Sequence, residues 1–153
     1  MPDDSALYAQ DFFAWTRAQA ALLETGQLSA LDIPHLIEEM LALGSSEQSQ
    51  LGNRLIVLLA HLLKGLWTSE HQPLVYDYNQ RGWQVTCRTQ RLGIAKLLRR
   101  NPSLRPTVPE EVLESYPVAR GEAALALGIL EDMLPPECPW SADDVLQADF
   151  WPA

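Results

Sequence analysis

Ser46–Thr68 reads SEQSQLGNRLIVLLAHLLKGLWT. At about 100° per residue, the helical period, Leu51, Leu55, Leu58, Leu62 and Leu66 fall on one face. Leu59, Leu63, Ile56 and Ala60 carry the apolar surface towards the back. The polar residues that remain, Gln50, Arg54, His61, Lys64 and Thr68, make a narrow stripe. A helix that is apolar most of the way round is buried on several sides. A membrane span needs about 18 or more apolar residues with few or no charges, and Arg54, His61 and Lys64 interrupt this shorter run. The stretch therefore predicts the core helix of a helical bundle. Burying a leucine is worth roughly 1.5–3 kcal/mol. With seven leucines between Leu51 and Leu66, this helix is expected to dominate stability.

The rest of the chain reads outward from that helix. Met1–Ala6 is expected to be a tail, with Asp4 or Ser5 capping a first helix that runs to about Glu24. Gly26 suits the position just past its end. Asp32 is a good N-cap, and Pro34 fits the first turn of a second helix whose buried side is Ile33, Leu36, Ile37, Met40 and Leu41. Gly44-Ser45-Ser46 either ends that helix, with Ser45 and Gln48 forming a capping box, or is a mild irregularity in one helix from Ile33 to Thr68. Near-continuity is favoured. Gln72–Asn79 reads as a loop. A helix then starts near Arg81 or Trp83 and ends at Arg100, with Trp83, Cys87, Ile94, Leu97 and Leu98 on one face; Asn101-Pro102 stops it, and Ser103–Val108 is read as a connector. Pro109, Glu110 and Glu111 open the next helix. Pro117 is expected to kink or split it, with Val118–Glu131 as the second half. Residues 134–153 are expected to be extended, with one short helix, Ala142–Gln147, capped by Ser141 and Asp144. The fold class is all-α: one domain of 153 residues, a bundle of about five helices around a long buried central helix.

Bulk properties narrow the function. Net charge is −9, which favours solubility and disfavours nucleic acid as a bulk partner. No basic segment followed by an apolar run marks a signal peptide. Cys87 and Cys138 match no metal-finger or redox spacing. A reduced, cytoplasmic setting with unpaired thiols is expected.

An ordered set of short blocks runs through the chain. These are Tyr8-x-x-Asp11 with Trp15; Ile37-Glu38-Glu39-Met40; Arg54-Leu55 and His61-Leu62-Leu63-Lys64; Trp83 with Arg91-x-x-Ile94; Asn101-Pro102-Ser103-Leu104; Tyr116-x-x-Ala119-Arg120; and Pro139-Trp140-Ser141 with Phe150-Trp151-Pro152. In this the chain resembles the bacterial family catalogued as domain of unknown function 29. The resemblance covers about Tyr8 to Pro152. It implies a compact, mostly helical cytoplasmic domain and carries no mechanism. Pro117, directly after Tyr116, departs from the helix the family is expected to continue there.

The Trp- and Pro-rich C-terminus, Pro139-Trp140 with Phe150-Trp151-Pro152, is expected to tie the tail over the bundle, or else to form a docking surface for another chain. Three further groups of residues are candidates for chemistry. His35 and Glu39 lie i, i+4 on one helix face. If the helices fold back on each other, His61 meets them, and two histidines with a carboxylate suit zinc or iron. The usual di-iron bundle needs Glu-x-x-His on two helices, which is absent here. In one continuous helix His35 and His61 lie roughly 39 Å apart at 1.5 Å per residue. No cofactor is therefore expected, and a divalent metal is the alternative. Glu38, Glu39, Arg54, His61 and Arg91 are candidates for a buried polar network, through Glu39–Arg54–His61 or Glu39–Arg91. A buried charge must be paired. The same residues give His61 as an acid/base candidate by its accessible pKa, but no paired nucleophile is evident. Finally, Tyr78–Pro109 has no Asp or Glu and holds seven of the eleven Lys and Arg, a local +7 that leaves −16 elsewhere. Arg81, Arg88, Arg91 and Arg99 share one sector and are candidates for anion or nucleic-acid binding. The bland reading lays this basic helix against acidic ones.

The favoured function is a non-catalytic protein-interaction or assembly module with a protein partner or a second copy, and no membrane. One alternative is a metal-dependent or acid/base enzyme using Glu39 and His61. The other is a nucleic-acid accessory protein using the Arg81–Arg105 helix.

Overall fold

In the computed structural model, residues 4–152 are described. They form six α-helices, three short 3-10 turns and no strand: α1 (Asp4–Gln10), α2 (Phe12–Glu24), α3 (Ile33–His71), α4 (Pro73–Arg100), α5 (Val108–Leu127) and α6 (Ala142–Leu146). No helix among the described residues is long and apolar enough to cross a membrane. The chain divides into two compact units, Met1–Ser46 and Glu47–Ala153.

In the first unit the expected tail is helical from Asp4 onward; residues 1–3 of that tail lie outside the described residues. The single first helix is two. Asp11 separates them, its side chain accepting from the Ala14 amide at 2.9 Å as the N-cap of α2. At the other end of α2, Gly26 takes a left-handed φ of 71°. The Gln27 amide then reaches the Leu22 carbonyl and the Gly26 amide reaches Leu23, the paired closure that such a glycine permits.

α3 runs through Gly44-Ser45-Ser46 without a break. From Leu51 on it supplies the heart of the second unit. Leu51, Leu55, Leu58, Leu59, Leu62 and Leu63 are fully buried. Cys87, Ile94, Leu97 and Leu98 of α4 pack there, as do Val112, Tyr116, Ala119 and Ala123 of α5, with Leu134 and Val145 from the C-terminal stretch. Thr68, expected on the polar stripe, is also buried, its hydroxyl donating to the Lys64 carbonyl at 2.6 Å. A threonine satisfied this way by its own helix needs no solvent.

Four boundaries differ from the sequence expectation. The 72–79 loop is instead the first two turns of α4, because Pro73 sits at the first helical position, where its missing N–H costs nothing. Pro117 does not split α5. Leu113, whose carbonyl the proline cannot satisfy, and Pro117 itself both face outward, where water can serve that carbonyl. α5 ends at Leu127 rather than near Glu131, because Gly128 adopts φ 67° and closes the helix as Gly26 does. The Ser103–Val108 connector is a 3-10 turn, Pro102–Thr107, leading directly into α5. The Ser141–Asp144 capping box is present, with both amides satisfied reciprocally at 3.1 Å.

Candidate functional sites

In the first unit, polar and aromatic side chains of α1, α2 and α3 meet around Asp32. Its carboxylate accepts from Trp15 Nε1 at 3.0 Å and from His35 Nδ1 at 2.7 Å. Its amide donates to Gln19 Oε1, and Gln19 Nε2 donates on to Asp4. The Tyr8 ring stacks on His35 with centroids 3.9 Å apart, and its hydroxyl donates to Glu39. That bond to Glu39, with burial and the charge of Glu38, pushes the Tyr8 hydroxyl up to about 12, so it stays a donor at neutral pH. Burial alone would raise the Asp32 carboxyl, but the hydrogen bonds from His35 and Trp15 outweigh it and hold the group below its ordinary range. An aspartate fixing a histidine is a common catalytic arrangement. Here the histidine's ring face is covered by a tyrosine, and the bonds of the cluster brace α1, α2 and the start of α3 together.

A carboxyl lowered by folding stabilises above its ordinary pKa, about 3.9, and that stabilisation is lost as pH falls through the lower folded-state value. Asp32→Asn is therefore expected to be destabilised at pH 7. It should also show a shallower loss of stability than wild type between pH 4 and the acid limit, read by urea unfolding across pH. Parallel acid profiles for the two proteins would contradict this.

The second unit holds the remaining candidates, each with its own partner. Arg54 Nη1 donates to Gln90 Oε1 at 3.1 Å, and its guanidinium lies where a side chain on Gly93 would stand, 2.4 Å from an ideal Cβ. His61 Nδ1 faces the Val57 carbonyl at 2.8 Å. A carbonyl only accepts, so Nδ1 carries the proton, and burial pulls the ring's pKa down. Lys64 lies 5.3 Å above the Trp83 ring, its pKa also lowered by burial. Arg91 donates to three backbone carbonyls: Val145 from Nε at 2.8 Å, Ala148 from Nη1 at 3.3 Å and Phe150 from Nη2 at 2.9 Å.

Of the residues expected from the sequence to pair as Glu39–Arg54–His61 or Glu39–Arg91, Glu39 lies in the first unit and Arg54, His61 and Arg91 in the second. Tyr8 takes Glu39, and the carbonyls of residues 145–150 take Arg91. Glu38 is exposed. Among the described residues no group of three or more His, Cys, Asp and Glu is placed to hold a metal ion. His35 and Glu39 belong to the first unit and His61 to the second. His35 is engaged by Asp32, and His61 has one nitrogen committed to a carbonyl.

The Pro139-Trp140 and Phe150-Trp151-Pro152 blocks were expected to tie the C-terminal stretch over the bundle, and Trp151 does take part in a clamp on residues 134–151; its other side chains were not assigned to it from the sequence. Besides Arg91, Tyr116 donates its hydroxyl to the Pro135 carbonyl at 2.6 Å. Arg120, one turn on, donates to the Leu134 carbonyl at 3.1 Å. Trp151 Nε1 donates to the Tyr76 hydroxyl at 3.0 Å. The Trp151 ring presses on Gly65, where an ideal Cβ would stand 2.4 Å from the indole. For Tyr116 and Arg120 the advance signal was their spacing at i, i+4, which points two donors from one face of α5.

Alongside Arg91 a cleft of about 380 Å³ opens between α4 and residues 148–151. It is lined by Arg81, Arg88, Arg91, Cys87, Asp149 and Trp151, among others. Burial pushes the Cys87 thiol up to about 11, so it is not a thiolate at neutral pH. Arg99 lies outside this cleft.

The fold and these sites define an all-α protein with two helical units and a clamped C-terminal stretch. The chain matches the family described as Domain of unknown function DUF29 over residues 7–151, and it belongs to that family. No curated protein and no solved structure matches it. Many of the blocks that carry the family resemblance sit at the seams just described. Tyr8 and Trp15 brace the first unit, while Arg91, Tyr116, Arg120 and Trp151 hold residues 134–151.

Proposed function

We propose that this protein is a non-catalytic interaction module, and that it docks a cationic amphipathic helix of a protein partner on the first half of α3. One observation carries the reading. Ile33, Ile37, Met40 and Leu41, spaced i, i+4, i+7 and i+8, form one helical face that periodicity marks as a buried side. In the folded chain they are 49, 54, 72 and 68% exposed. An apolar helical stripe left open is the usual receptor for a second amphipathic helix. Charge chooses the occupant. Residues 1–46 hold seven Asp or Glu against one basic residue, Arg17. Glu38 and Glu39 border the stripe itself. Two copies of so acidic a unit repel each other, whereas a helix with Lys or Arg beside its apolar face is drawn in.

The test titrates a synthetic Leu/Lys amphipathic helical peptide into the whole protein, with a sequence-scrambled peptide as control, by fluorescence anisotropy. The expected result is saturable binding of the amphipathic peptide alone, weakened at least tenfold by Ile37→Asp with Met40→Asp. Both side chains are exposed, so the fold is retained, as circular dichroism would check. Binding that ignores these substitutions would overturn the reading. So would a concentration-dependent dimer in sedimentation that the same substitutions abolish, because a second copy would then be the occupant.

A further inference from the structure

The cleft beside Arg91 lies in the other unit and points to a second kind of ligand. We infer that it binds a small phosphorylated compound, with a diphosphate group held by Arg81 and Arg88 and an apolar or planar body against Trp151.

The charge of the cleft runs against that of the protein. Three arginines face one carboxylate, Asp149, in a chain of net −9. A concave basic patch on an acidic protein focuses its field on an incoming anion. Arg81 and Arg88 are the free donors. Both are exposed, and neither has an ion pair or hydrogen bond among the described residues. The basic helix laid against acidic ones, the bland reading of this segment, would have paired them. They stand seven residues apart, two turns along one face of α4, about 10 Å in rise. Their long side chains can converge on one extended anion but do not overlap on a single carboxylate. Each guanidinium offers a planar fork matched to phosphate oxygens.

Arg91 completes the floor. Its three bonds to the carbonyls of Val145, Ala148 and Phe150 fix the opposite wall and cancel none of its charge. Two of its five N–H groups remain for a ligand. The Trp151 indole in that wall is held by Tyr76 and packed on Gly65. A volume of about 380 Å³ lies in the range of small-molecule sites, and residues 148–151 bound it on one side. A nucleic-acid strand tracking the basic helix would instead use Arg99 as much as Arg88.

The experiment is isothermal titration calorimetry of the whole protein with pyrophosphate, ATP, inorganic phosphate and a single-stranded DNA 20-mer. Each is run against wild type, Arg81→Ala with Arg88→Ala, and Arg99→Ala. Saturable binding of pyrophosphate or ATP is expected, weaker for phosphate, falling with added salt and lowered at least tenfold in the double variant only. Tighter ATP than pyrophosphate would place the planar body against Trp151. Tighter or equal pyrophosphate would overturn that part of the inference. No heat from any probe at millimolar concentration would overturn the whole. Oligonucleotide binding stronger than ATP binding and lost equally with Arg99→Ala would overturn it in favour of a nucleic-acid strip.

Discussion

Leu62→Ala is expected to lower the stability of the protein by about 3–5 kcal/mol, the range for truncating an enclosed leucine where the surroundings relax only partly. Leu62 is fully buried at the centre of α3, among leucines of its own helix and the apolar faces of α4 and α5. Close packing in such an interior leaves little room for collapse into the void. Set against a typical total of about 5–15 kcal/mol, the loss leaves a marginal fold. Urea unfolding measures it, with Met40→Ala as the comparison. Met40 is exposed, so its truncation should fall within about 0.5 kcal/mol of wild type. A Leu62→Ala cost below about 1 kcal/mol would mean that α3 is not enclosed as described.

Arg91→Ala is expected to cost about 2–4 kcal/mol, and to release residues 134–152 before the rest of the second unit unfolds. Hydrogen bonds from a charged donor are worth about 1.5–3 kcal/mol each. Three on one guanidinium are not additive, and the carbonyls they leave are near enough to solvent to be partly rehydrated. The figure is therefore well below three full bonds. Arg91→Lys should recover less than half, since an ammonium cannot reach three divergent carbonyls that a planar fork spans. Limited proteolysis supplies the independent reading: early cleavage within 134–152 in the variant and none in wild type. Equal resistance in both would show that Trp151, Tyr116 and Arg120 hold the stretch without Arg91.

The core was legible in the sequence because α3 is apolar nearly all round, and such a pattern has one resting place in water. The buried face of α4 followed from the same period. The stops at Gly26 and Asn101-Pro102, and the capping box at Ser141, were legible through residue chemistry that acts locally. What escaped depends on groups that carry no sequence signature. Arg91 was expected to seek a carboxylate, but its partners are main-chain carbonyls, which every residue possesses. Asp32 was read as a cap because that role is local, while its bond to Trp15 requires the turn between α2 and α3 to close first. The stripe from Ile33 to Leu41 was legible as apolar and misread as buried. Periodicity reports that a face wants a partner, and it is silent on which molecule supplies one. The arginine cleft was half legible. The clustering of Arg81, Arg88 and Arg91 was plain, but the wall that makes a cleft of it comes from residues 148–151.

The clamp on the C-terminal stretch also sets an order in time. Arg91 waits for partners 54 to 59 positions later, and Tyr76 for one 75 positions later. Leu134 and Val145, fully buried in the second unit, are themselves part of its core. A growing chain that has made α3, α4 and α5 therefore still shows an open seam of leucines until residues 134–151 arrive. Contacts so distant along the chain form late, after the loop entropy between them has been overcome. For that interval the nascent protein presents to its surroundings the apolar surface that the finished one conceals.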